Sequence, residues 1–198
     1  MSTSTITRPD AAHLEEPVIP SPRAETEAFS LARRSPLALD ASVAAGSIDN
    51  LNQLLADTLT LRDLYKKHQW QASGQPFCSI HLLFDKHCVE QSTLVDLLAE
   101  RVQTLGGVTI AMAPDVAQAT HIPRAPKGRE DTATQIARLL YAHKVILQEA
   151  RAMARDSAAG GDQGTNDVIV SDVIRANELQ TWFFAEHMQQ TKRLDCAK

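Results

Sequence analysis

Residues 64–107 read LYKKHQWQASGQPFCSIHLLFDKHCVEQSTLVDLLAERVQTLGG, and this stretch decides the fold. It opens in the last turns of one helical pattern and contains the whole of a second. Upstream, Leu51, Leu54, Leu55, Leu61, Leu64 and Tyr65 recur at spacings that predict a helix from about Ser47 to Ala72. Ser47, Asp49 and Asn50 are candidate caps at its start. Ser73-Gly74-Gln75 breaks that helix, and Pro76 suits the first turn of the next. The second helix runs unbroken to Gly106-Gly107, roughly 30 residues and about 45 Å at ~1.5 Å per residue. Such a length is unusual outside bundles.

Outward from this core, Gly107 to Arg129 is a long connection holding Pro114, Pro123, Pro126 and Gly128, with room for a short helix at 115–119. Ile136, Leu139, Leu140, His143, Ile146, Leu147, Ala150 and Met153 mark a third helix, which Gly160-Gly161 breaks. A fourth starts near Thr165 or Asn166 and passes Trp182 and Phe183 to about Gln190. Two long helices, one long crossover and two more long helices give an all-α, ferritin-like four-helix bundle, with a short extra helix in the crossover between helices 2 and 3. No strand pair with hairpin chemistry, internal repeat or Gly-rich phosphate loop competes with it. The expected division is an irregular tail over 1–45, the bundle over 46–191 and a short basic tail over 192–198.

Composition narrows the function classes. The 198 residues are 43% hydrophobic and 22% charged, an ordinary globular balance. The net charge of −4 argues against a globally basic nucleic-acid binder. No apolar run reaches the ~20 residues of a membrane span. The opening MSTSTITRPDAAHLEEP lacks a secretory apolar segment, so a cytoplasmic location is expected. Cys78, Cys88 and Cys196 fit neither a disulfide framework nor a thiolate metal site, and read as reduced thiols. Pro9, Pro17, Pro20, Pro22 and Pro36 crowd the tail, which to Gly46 carries four arginines against six acids.

The second helix holds four potential metal ligands in two i, i+4 pairs, His81 with Asp85 and Asp96 with Glu100. Each pair stacks on one helical face and can present two donors to one ion. A solvated face is the commoner meaning of one such pair. Here, however, Asp96 and Glu100 share a helix with Leu94, Val95, Leu97, Leu98 and Ala99, where a carboxylate pair is costly without a cation. His81 and Asp96 stand fifteen residues apart, about 22 Å along a straight helix. One chain therefore cannot close one site. Two copies of the helix lying antiparallel can, which requires a two-fold interface with two identical sites. A nitrogen and carboxylate shell suits iron, manganese or zinc better than calcium.

Tryptophan, then His eleven residues later, Asp four further on, and D-x-x-x-E-R ahead of L-G-G resemble the signature of the Dps proteins, ferritin-like shells of starved bacteria. The resemblance covers about residues 47–190, and the proline-rich tail looks most like that of cyanobacterial members. It implies a dodecamer of identical subunits in which Fe(II) is oxidised, with hydrogen peroxide as the preferred oxidant, at sites between two-fold-related subunits. Ferric mineral (iron as Fe2+ and Fe3+) is then stored inside, as protection against oxidative stress. Carried over by position, His81 and Asp85 of one subunit hold the weaker iron, while Asp96 and Glu100 of its mate hold the tighter. Trp70 would sit beside the site and intercept oxidising equivalents. Acids early in the fourth helix, Asp162, Asp167 and Asp172, would line three-fold pores that draw in Fe(II), as field focusing in an acidic channel permits.

One position departs from the family. A ligand His normally precedes this tryptophan, and here the residue is Gln69. Its carbonyl oxygen is a weaker donor than imidazole for iron or zinc. His68 is one helical step of about 100° away and should point elsewhere. His87 is off the His81–Asp85 stripe and reads as a surface residue. His187, beside Glu186, is the candidate substitute donor. The alternative function is a nucleoid protein that compacts DNA through basic tails. It fits poorly with a tail of net charge −2, although the C-terminal TKRLDCAK is basic. A third is a shell whose sites hold zinc and serve only assembly.

Overall fold

The computed structural model describes residues 27–29, 32–33, 36–74 and 77–195. The expectations for most of the proline-bearing tail, and for the charges of the C-terminal stretch, lie outside what is described. Helix α1 (Ala41–Gln71) starts six residues ahead of the expected Ser47. Asp40 rather than Ser47 caps it, accepting a hydrogen bond from the Ser42 N–H at 2.8 Å. Apolar periodicity begins only at Ile48, but Ala41, Ala44 and Ala45 favour helix without any buried face. After the break, α2 (Phe77–Thr104) ends at Gly106, whose φ of +90° is open to glycine without strain. The Gly106 carbonyl accepts the Arg33 N–H at 2.8 Å, tying the segment before α1 to the end of α2.

The short α3 (Ala113–Ala119) carries Pro114 in its first turn. Helix α4 (Thr132–Gly160) is capped by Asp131 and closed by Gly161 at φ +81°. The last rod was expected as one helix from about Thr165. It starts instead at α5 (Gln163–Asp167), passes through a π-helical segment (Val168–Ile174) and continues as α6 (Arg175–Asp195). Thr165, Ile169, Val173 and Asn177 are all buried at intervals of four. A regular α-helix would rotate that stripe by about 40° at each step. The wider π turn holds all four residues on the core side.

Cross-contacts fix the direction of each rod. Asn52, early in α1, donates to the Val108 carbonyl beyond the end of α2 at 3.0 Å, so these two helices are antiparallel. Thr132 at the start of α4 bonds the Ser73 carbonyl just after α1, at 3.1 Å. Residues 105–131 therefore travel the length of the bundle, and α4 descends packed against α1, antiparallel to it. Arg101 near the end of α2 meets Asp162 and Thr165, and the last rod rises again. The topology is up, down, down, up. At its centre Tyr65, Phe84 and Phe184 interlock, with ring centroids 5.9–6.2 Å apart. Each such fully buried side chain stabilises the fold by roughly 1.5–3 kcal/mol.

Candidate metal centre

At about 100° per residue, His81, Asp85, Asp96 and Glu100 fall within an arc of about 100° on α2. His81 and Asp85 are half-buried, whereas Asp96 and Glu100 are exposed. Leu82 and Val89 lie on the same arc and are 63% and 61% exposed, and Trp70 at the end of α1 is 72% exposed. Within one chain the two ligand pairs remain apart, as their spacing requires. The chain thus presents a long face on which two separate ligand pairs lie among uncovered apolar side chains.

Asp85 is the best-anchored of the four. Its Oδ1 accepts the Lys66 ammonium at 2.9 Å and the Gln69 side-chain N–H at 2.8 Å. These bonds, that of Lys66 foremost, hold its carboxyl below the usual range. Gln69 therefore turns its amide nitrogen, not its carbonyl oxygen, toward the ligand pair, and its Oε1 is buried without a hydrogen-bond partner. His81 Nδ1 lies 3.2 Å from the Gln69 backbone carbonyl. As a donor there, a neutral ring keeps its lone pair on Nε2, the arrangement that orients a ligand imidazole. Gln69 and Lys66 act on the pair through Asp85 and the backbone.

The structure corrects two expectations. His87 is fully buried, not a surface residue. It belongs to the stripe Ile80, Phe84, His87, Gln91, Leu94, Leu98, Val102, all buried, on the face opposite the ligands. Sequence reasoning measured His87 against the ligand stripe and missed this second register. There Tyr65 Oη meets His87 Nδ1 at 3.2 Å, His143 Nε2 at 2.5 Å and Gln180 Oε1 at 3.2 Å, while His143 Nδ1 meets Asn177 Oδ1 at 2.7 Å. Burial pushes His143 down to about 3 and His87 to about 4, so both are neutral near pH 7.

The second correction concerns Asp162, which is 2% exposed, pairs with Arg101 at 2.6 Å and caps the Thr165 N–H at 3.0 Å. Its carboxylate is spent on the fold and does not face a pore. Asp167 is exposed and accepts from Ser171 at 2.8 Å, and Asp172 is half-buried. His68 is fully buried and its pKa is lowered to about 4, chiefly by burial. His187 is half-buried on α6. Among the described helices none is long and apolar enough to cross a membrane.

Comparison with known proteins identifies the family of the fold. A family model described as a ferritin-like domain matches residues 48–194. DpsC from Streptomyces coelicolor superposes with a TM-score of 0.81 at 47% identity, over 82% of this chain and 95% of that one. An uncharacterised protein from the bpoA2 5' region of Kitasatospora aureofaciens is 45% identical over 139 residues, 70% of this chain and 93% of its own. A nutrient stress-induced DNA-binding protein from the cyanobacterial genus Nostoc is 29% identical over 144 residues, 73% of this chain and 78% of its own.

Proposed function

We infer that this chain, which belongs to the ferritin-like domain family and within it to the Dps proteins, oxidises Fe(II) at sites shared between two subunits and stores the ferric product in a closed shell. One observation carries this reading. Two ligand pairs stand about 22 Å apart on one exposed face of α2, amid uncovered Trp70, Leu82 and Val89. Antiparallel apposition of two copies buries those apolar groups and brings His81 and Asp85 of one copy to Asp96 and Glu100 of the other, twice per two-fold axis. Repetition in a dodecamer, as the family resemblance implies, encloses a cavity.

Fe(II) is the substrate. Carboxylates from one subunit and an imidazole with a carboxylate from the other hold two ions side by side, so that each gives one electron to one hydrogen peroxide. Written with its protons, two Fe(II), one peroxide and two waters yield two FeOOH and four protons. The protein supplies ligands and proximity, and the redox chemistry is the iron's own. Removing Fe(II) and peroxide together denies them hydroxyl-radical chemistry and protects the cell. Trp70, exposed at the end of α1, would intercept stray oxidising equivalents, as the family resemblance implies.

The two halves of the site are unequal. Asp96 and Glu100 offer two charges with no bound cation of the protein's own among their described contacts, whereas Asp85 already carries the Lys66 ammonium. The Asp96/Glu100 half is the tighter, and iron at the His81/Asp85 half competes with Lys66 for the charge of Asp85. Stopped-flow oxidation of anaerobically loaded Fe(II) by peroxide tests the assignment. Asp96→Ala with Glu100→Ala abolishes the fast phase, and a double variant that oxidises at the parental rate refutes it.

A further inference from the structure

The long crossover is pinned to the bundle by a buried carboxylate. Asp57, fully buried in the middle of α1, accepts through Oδ1 from Thr120 Oγ1 and from the His121 backbone N–H, each at 2.7 Å. Through Oδ2 it accepts from Gln53 Nε2 at 2.8 Å. All three donors are neutral, so none cancels its charge. Glu149 reaches the same place from α4. Its Oε1 lies 2.6 Å from His121 Nδ1, while its Oε2 is buried with no hydrogen-bond partner. Ligand atoms of Asp57, His121 and Glu149 all lie within 4.8 Å of one another.

Two carboxylates facing each other out of water repel unless a proton or a cation joins them. Even a fully protonated His121 leaves this trio one charge short of neutral. We propose that Asp57, His121 and Glu149 form a binding site for a divalent first-row transition-metal ion, separate from the intersubunit ligand pairs. The donor set of one imidazole and two carboxylates suits Zn(II), Mn(II) or Fe(II), whereas calcium and magnesium take oxygen shells. Three protein ligands leave a coordination position for water.

Access is built in. His121 is 60% exposed and lines a groove with Leu59, Thr60, Ile122 and Pro123, while Asp57 is fully buried behind it in hydrogen-bond contact with the His121 backbone. An ion arriving from the groove meets the imidazole first and then the buried oxygens, and any proton held between the acids leaves to solvent. Because the ligands come from α1, α4 and the second residue after α3, the ion clamps the crossover to both helices. Binding to the folded state alone therefore raises thermal stability.

Zinc is the probe. In crystals of the full chain soaked in Zn(II), an anomalous peak is expected among Asp57, His121 and Glu149. In solution, the Asp96→Ala, Glu100→Ala protein, with half of the intersubunit donors removed, is expected to bind one Zn(II) per subunit and to gain thermal stability on doing so. His121→Ala or Glu149→Gln, each added separately, weakens that binding by about 10- to 100-fold or more. Soaked crystals with zinc on the α2 face and none at the trio would overturn the site. So would a His121→Ala protein that binds the ion as its parent does. Either result leaves the iron-oxidation reading standing, since no residue is shared between the two sites.

Discussion

At the scale of single residues, the proposed centre turns on Gln69. The sequence places a glutamine ahead of Trp70, where the resemblance implies a ligand imidazole. What that glutamine touches was not legible. The Gln69 amide answers to Asp85, sixteen residues on, and Lys66 meets the same oxygen from one turn earlier in α1. Neither contact has a local sequence signal. Removing the ammonium with Lys66→Gln is therefore expected to tighten Fe(II) binding at the weaker position by a few-fold, the scale on which an exposed ion pair competes. Gln69→His should tighten it further by adding a nitrogen donor. Anaerobic Fe(II) titration reads both. Unchanged affinity in Lys66→Gln would mean that the ammonium does not compete with iron for Asp85, and unchanged affinity in Gln69→His would make His187 the first candidate for the missing donor.

Elements come next. Four long helices and the short one in the crossover were readable from apolar spacing and from glycines at their ends, since both are local signals. The π segment was not, because its cause is distant: Asn177 and Gln180 must face His143 and Gln91 across the bundle. The start of the last rod was misplaced for a related reason, as Asp162 is both its cap and the partner of Arg101. Asp162→Asn leaves the partly buried Arg101 guanidinium without its counter-ion and should cost about 1–3 kcal/mol, read as a lowered thermal midpoint. A midpoint unchanged within error would return Asp162 to the candidate pore acids.

The buried polar layer makes a second prediction for the bundle. His143 faces Tyr65 from α1, His87 from α2 and Asn177 from α6, all uncharged in this setting. Its pKa falls from an ordinary 6.5 to about 3 on folding. The unfolded chain therefore takes up a proton between those values and the folded chain does not. The contribution is intact above about pH 6.5 and is lost progressively as pH falls toward 3. Replacing it by His143→Gln should flatten the decline in stability over that window, seen as thermal midpoints compared at pH 7 and pH 4. An equally steep decline would assign the acid sensitivity to other groups.

For the whole molecule, a face bearing Trp70, Leu82 and Val89 at more than 60% exposure is the surface proposed to be covered by a second copy. Sedimentation should show a particle of about twelve subunits, and monomers at micromolar concentration would contradict both the ligand spacing and the shell. With a net charge of −4, no DNA complex stable at physiological salt is expected, and a salt-resistant gel shift of the intact protein would reverse that. The central claim is that one iron site is made by two chains. Crystals soaked in Fe(II) under anaerobic conditions, with scattering recorded on both sides of the iron edge, test it directly. Iron is expected between His81 and Asp85 of one subunit and Asp96 and Glu100 of its mate, two sites on each two-fold axis. Iron bound only inside single subunits, or none on the α2 face, would contradict the account.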